Sequence, residues 1–213
     1  MLPTPSPRRE TIMLALQAAI LAKVPSSFVG NTAAGNPQIT GIPDTTGLFP
    51  GLPIAGGTTP EQSLIRTIDG PNALTVTIPP TGDATGVVFD TGFGTISRRV
   101  IPWTDNPPQP CLFLINESDD YQVRTQQPPI RTMKIEVMIY TDVGRDKSMA
   151  AGVTLNNFAD ALDAAIPYSD SQWGRNTLGG IVQDCRINGA MEYYPGDLAS
   201  QAIGVATVLI TIP

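Results

Sequence analysis

"TMKIEVMIYT", residues 132–141, sets the architecture. Ile135, Val137 and Ile139 alternate with Glu136 and Met138, the period-two pattern of a strand with one buried face. Downstream, residues from about Met149 to Ile166 read as a helix. Leu155, Phe158, Ala159, Leu162 and Ile166 share one stripe, Asp160 and Asp163 lie off it, and Pro167 ends it. Past a Gly-rich loop, "GIVQDCRING" (180–189) and "QAIGVATVLITIP" (201–213) read as two further strands. The last of them is expected to be paired inside a sheet, because an unpaired final strand frays. Upstream, "TISRRVIP" (95–102) and "CLFLIN" (111–116) are strand-like.

A helix is also predicted from about Pro7 to Val24, with Ser6 as N-cap and Pro7 at the first helical position. Ile12, Leu16, Ala19, Ile20 and Val24 form its main stripe, and Met13, Leu14 and Leu21 a second apolar flank. A helix apolar over more than half its girth calls for a sheet on one side and something else on the other. The basic start and apolar run imitate a secretory signal. Gln17 interrupts the run, Lys23 follows it and no A-x-A cleavage site is present, so a helix of the mature protein is expected. The run is too short to span a bilayer.

Between these zones the material changes. Residues 25–94 hold 12 of the 20 glycines, 9 of the 21 prolines and 12 threonines, but only six charged residues and no lysine. "NTAAGNPQITGIPDTTGLFPGLPIAGGTTPE" (31–61) shows neither helical nor strand period and reads as an extended arm or long loop, flexible or laid on a neighbouring surface. Only "SLIRTI" and "ALTVTI", flanking Asp69-Gly70-Pro71-Asn72, read as a hairpin. The expected fold is therefore α+β. A mixed or antiparallel sheet of about five strands is flanked by two helices, with a long Pro/Gly/Thr-rich insertion at 25–94. Residues 1–24 and 95–213 form one domain.

Composition narrows the chemistry. Of the 213 residues only 15% are charged, against roughly a quarter in a typical soluble domain. A net charge of -6 argues against bulk electrostatic binding of nucleic acid. The absence of histidine removes the commonest general base and the commonest transition-metal ligand. Cys111 and Cys185 have no C-x-x-C spacing and sit in apolar runs, the pattern of buried thiols rather than of a zinc or redox site. No cofactor or metal is indicated. Asp119, Asp120, Asp142, Asp146, Asp160 and Asp163 lack EF-hand spacing. "GFGTIS" (92–97) lacks the third glycine and following helix of a phosphate loop.

Asp90-Thr91-Gly92 spells the catalytic turn of an aspartic protease, in which two carboxylates share a proton. There is one copy, and Phe93 stands where a small residue is usual. The turn reading takes precedence, because Asp and Gly tolerate left-handed geometry and Thr bonds to nearby backbone. The protease stays as a lesser alternative. No catalytic residue is assigned.

The helix "LNNFADALDAAI" (155–166) followed by "LGGIVQDCRI" (178–187) resembles the tail terminator, or tail completion, family of long-tailed bacteriophages. The resemblance extends over "RRETIMLALQAAILAKV", "TISRRVIP", the stretch 111–142 and "QAIGVATVLITIP", about two-thirds of the chain. Residues 25–94 are much longer than the short link usual there. The resemblance implies a structural virion protein assembled in the host cytoplasm. It forms a hexameric ring at the head-proximal end of the tail, halts tube polymerisation and joins the tube to the neck. Its implied partners are copies of itself, the tail tube protein and a neck or head-completion protein, with DNA passing through unbound and no membrane. Another neck, tube or baseplate ring protein is the alternative. Candidate contacts to neighbouring subunits or the tube are Met13, Leu21, Arg98, Arg99 and the hairpin residues Glu117, Asp119, Asp120, Tyr121 and Arg124, read as a projecting loop.

Overall fold

The computed structural model describes residues 8–61, 63–105, 107–124, 127–142, 151–167, 175–195 and 201–212. It is mixed α and β but mostly sheet, with two helices and two six-stranded sheets. The expected single sheet of about five strands is thus corrected on both counts.

The strands read from residues 132–141 and 201–213 are the spine of the C-terminal sheet. β9 (Gln127–Asp142) and β12 (Gln201–Ile212) pair antiparallel from Gln201↔Asp142 to Ile212↔Arg131. Along β12 every second residue is buried, from Ala202 to Ile212. β8 (Cys111–Arg124) pairs antiparallel with β9 on its other edge. β7 (Thr95–Ser97) joins β8 in parallel, so the sheet is mixed. Two short strands, β10 (Asp184–Ile187) and β11 (Glu192–Pro195), pair with successive halves of β12. Three closing strands therefore stand where two were expected.

α2 (Ala151–Ala165) lies against β9 and β12, and α1 (Arg9–Leu21) lies against α2. Leu155, Phe158, Ala159, Leu162 and Ile166 are buried as the stripe predicts, and Asp160 and Asp163 are exposed. Met149, the expected start of α2, is outside the described residues. α1 starts later than predicted. Arg8 is its N-cap, in extended geometry and without a side-chain cap hydrogen bond, while Ser6 and Pro7 are outside the described residues. The helix ends at Leu21, three residues before Val24.

The largest correction is the insertion. Residues 27–90 are no arm: they form a six-stranded antiparallel sheet in the order β3-β4-β5-β2-β1-β6. The strands are β1 (Ser27–Ala33), β2 (Asn36–Thr40), β3 (Pro53–Ile54), β4 (Ser63–Gly70), β5 (Ala73–Val76) and β6 (Ala84–Asp90). The predicted hairpin is β4–β5. Its two end strands meet, because Ala55 and Asp90 form an antiparallel bridge. The Ala55 amide donates to the Asp90 carbonyl at 3.0 Å and the Asp90 amide to the Ala55 carbonyl at 2.8 Å. That bridge brings the two end strands together at one point and curls the sheet into a small barrel.

Period two is present in the barrel but hidden from hydropathy. In β1 the inward residues are Phe28, Gly30 and Thr32. A Cβ on Gly30 would lie 2.7 Å from the Ile39 side chain, so the tight interior requires glycine there. Phe28, Ile39, Ile54, Ile65, Leu74, Val76 and Phe89 fill the barrel, with Phe28 and Phe89 stacked at 5.0 Å. Burial of these side chains at ~1.5–3 kcal/mol each offsets the ordering entropy that an arm could not meet alone.

One continuous core joins barrel and sheet. Phe158 of α2 meets Phe49 edge-on at 5.1 Å and Phe93 at 4.9 Å. Gly51, at φ +93°, sits directly over Thr154, where a Cβ would fall 2.0 Å from Oγ1. α2 is therefore held between the C-terminal sheet and the 48–52 loop of the barrel.

Candidate functional site

Asp90-Thr91-Gly92 is the end of β6 and the turn out of the barrel. Asp90 is exposed, and its backbone makes the closing bridge to Ala55. Thr91 anchors the turn: its amide donates to the Ser26 carbonyl at 2.9 Å and its hydroxyl to the Pro25 carbonyl. Gly92 takes φ +107°. Phe93 packs on Phe158 in the core. The three letters do backbone work at a barrel seam. Among the described residues no group of three or more His, Cys, Asp or Glu side chains could hold a metal ion. No described helix is long and apolar enough to cross a membrane.

Both thiols are buried. Cys111 accepts from Gln109 Nε2 at 3.0 Å and donates to the Pro108 carbonyl at 3.4 Å. Burial raises its pKa, and it pushes that of Cys185 up to about 12, with the nearby Asp184 charge adding to the shift. Both stay protonated and poorly nucleophilic near neutrality.

The hairpin 116–129 is not a loop but an extension of β8 and β9, paired as far as Arg124↔Gln127. Two irregularities interrupt the register, at Asn116/Ser118 and Gln122/Arg124. After the first, Asp119 pairs with Met133 and Tyr121 with Arg131, which turns both side chains to the helix-bearing face. There Arg9 of α1 bonds to the Asp119 carboxylate and, at 3.0 Å, to the Tyr121 hydroxyl. The hydrogen bond to Asp119 is the main cause of the raised Arg9 pKa.

The candidate contact residues thus divide. Met13 is 5% exposed and belongs to the core, so it is withdrawn as an interface residue. Leu21 is half-buried. Asp119 clamps α1 and is likewise occupied within the chain. Arg98 leaves the end of β7 and reaches Glu10 at 3.5 Å, while Arg99 is exposed. Glu117, at the first irregularity, pairs with Lys134 at 2.8 Å, and the hydrogen bond between them raises the lysine pKa. Asp120 is exposed, as is 56% of Tyr121. Arg124 lies in β8, and its side chain is outside the described residues.

Two surfaces were missed in the sequence. Val123, 89% exposed at the hairpin end, is the most exposed large apolar residue described. The other is the face of the C-terminal sheet opposite α2. Val205 pairs with Met138 and Ile203 with Tyr140, flanked by Glu192 and Tyr194 of β11. Met138, Tyr140, Ile203 and Val205 are half-buried, and on the same face of β8 Cys111 and Phe113 are fully buried, with segment 107–110 bonded to Cys111. Alternation marks these outward positions, but Ile, Val and Leu there look like core in the sequence. Compared with known proteins, the chain matches no family model and no curated sequence.

Proposed function

We propose that this chain is a structural virion protein. It forms a hexameric ring at the head-proximal end of a phage tail, caps the tail tube, stops its polymerisation and joins it to the neck. The observation that carries this reading is the order of elements outside the barrel. A first helix, a short strand followed by Arg98-Arg99, a strand entering an acidic hairpin, the long β9, one amphipathic helix and the closing strands follow in the sequence expected of the tail terminator family. The barrel is spliced between α1 and β7 and leaves that order intact.

One support drawn from sequence alone falls away, because residues 27–90 form their own sheet. The second flank of α1 is met only in part inside the chain: Met13 is buried, Leu21 is half-buried and Leu14 is 53% exposed. What supports association is the apolar surface left over: Leu14 of α1 and the Tyr121–Val123 hairpin. No catalytic step is assigned. The acidic balance suits a ring through which DNA slides without sticking. The test is tube polymerisation in vitro with and without the protein. Capping predicts shorter tubes of uniform end structure, with the protein at one end only. Unchanged lengths and bare ends would refute it. Binding along the whole tube would favour the alternative, a tube or baseplate component.

A further inference from the structure

We propose that Asn188-Gly189 is a site of spontaneous deamidation, at which the folded protein turns an uncharged side chain into a carboxylate. The inference goes beyond the tail reading and does not depend on it.

The chemistry needs an asparagine followed by a residue whose backbone amide can reach the carboxamide. Asn188-Gly189 is the sole Asn-Gly pair in the chain. It lies between β10 and β11, and Asn188, Gly189 and Ala190 are all exposed. A Cβ at Gly189 would meet nothing within 4 Å, so no neighbour crowds the attacking nitrogen, and φ is +82°, a conformation that favours glycine. Neither the Asn188 carboxamide nor the Gly189 amide has a hydrogen-bond partner among the described residues. The Asn188 backbone amide donates to the Thr207 carbonyl at 2.8 Å, which pins the turn at its start and leaves the reacting groups free. Other asparagines are held or blocked. Asn31 accepts from the Gly86 amide at 2.8 Å, and Asn157 and Asn176 donate to the Val153 and Ala165 carbonyls. Asn36 precedes Pro37, whose nitrogen carries no hydrogen.

In the first step the Gly189 nitrogen loses its proton and attacks Asn188 Cγ. A C–N bond forms, the Cγ–Nδ2 bond breaks, and the side-chain nitrogen takes up the proton and leaves as ammonia. Water then opens the cyclic imide. Opening at Cγ gives aspartate. Opening at the main-chain carbonyl gives isoaspartate, whose backbone runs through Cβ and is longer by a single atom. Nothing is oxidised or reduced, and water is the only co-reactant.

The sheet fixes the consequence. β10 ends at Ile187↔Val208 and β11 begins at Glu192↔Val205. Residues 188–191 therefore stand opposite only Ala206 and Thr207, and they bow out from the sheet edge. A bowed connection absorbs an extra backbone atom without moving either strand. The new carboxylate joins Asp184 and Glu192 on that edge, so the reaction changes surface charge and keeps the fold.

The test is to incubate the full chain at mildly alkaline pH and follow it by peptide mapping with mass spectrometry. The peptide carrying residues 188–189 should convert into aspartyl and isoaspartyl forms, at a rate that rises in proportion to hydroxide, while the melting curve stays unchanged. Asn188→Gln, whose longer side chain closes a less favourable ring, should abolish the conversion and keep the native circular dichroism. Gly189→Ala should slow it. A peptide that stays intact in the native protein but converts in denaturant would show that the turn holds the two groups apart, and would overturn the proposal. So would conversion no faster than at the other asparagines, or the same conversion in Asn188→Gln.

Discussion

Phe89→Ala should unfold more than a loop. Phe89 is fully buried inside the barrel and stacks on Phe28 at 5.0 Å. Truncating a core phenylalanine costs about 3–5 kcal/mol. That is a large share of the ~5–15 kcal/mol that holds a typical domain together. In a chain of this size the loss corresponds to a fall in Tm of roughly 6–20 °C. The assay is urea unfolding followed by circular dichroism. Because one core joins barrel and sheet, the midpoint should fall with little change in slope. Asp90 supplies the control. Asp90→Asn keeps the backbone bridge to Ala55 and should stay within about 0.5 kcal/mol of the parent. Asp90→Pro deletes the 2.8 Å hydrogen bond to the Ala55 carbonyl and should cost at least ~1–3 kcal/mol. A Phe89→Ala protein within 1 kcal/mol of the parent would refute the closed barrel and restore the extended arm.

Gly51→Ala should destabilise by roughly 2–5 kcal/mol, through left-handed strain and the clash with Thr154, and Gly51→Ala/Thr154→Ala should recover part of it. An unchanged melting curve would show that the barrel does not sit on α2. Asp69 accepts from Thr75 at 2.6 Å and Thr67 at 2.8 Å, and the hydrogen bond from Thr75 is the main cause of its lowered pKa. Its contribution to stability is therefore complete above the ordinary carboxylate pKa and is lost as pH falls through the lowered folded value. Asp69→Asn should flatten the acid limb of stability against pH, and a parallel limb would contradict this. Cys111 and Cys185 should resist a thiol reagent at pH 8 in the native protein and react fully in denaturant; rapid native reaction would show that the burial assigned to them is wrong.

What the sequence makes legible follows from how each element is buried. β9, β12 and α2 pack on one sheet-helix layer, so a single period with large apolar residues marks them. The barrel hides its period because Gly30 and Thr32 point inward alongside Phe28, and because β3 is two residues long. Its closure depends on Ala55 meeting Asp90 across 35 residues, a contact with no local signal. The candidate surface is legible in part. The acidic hairpin exists, but Arg9 takes Asp119 from 110 residues away, and no spacing rule foretells that. Met13 looked spare because its second partner lies within the same chain. Val123 went unnoticed because a valine in a strand ordinarily means burial.

Electron cryomicroscopy of the virion neck, or of tubes capped with the purified protein, tests the central claim most directly. The ring reading predicts six copies around one axis at the head-proximal tube end, each with its barrel and sheet resolved. One or two copies per particle, or density without rotational symmetry, would contradict it.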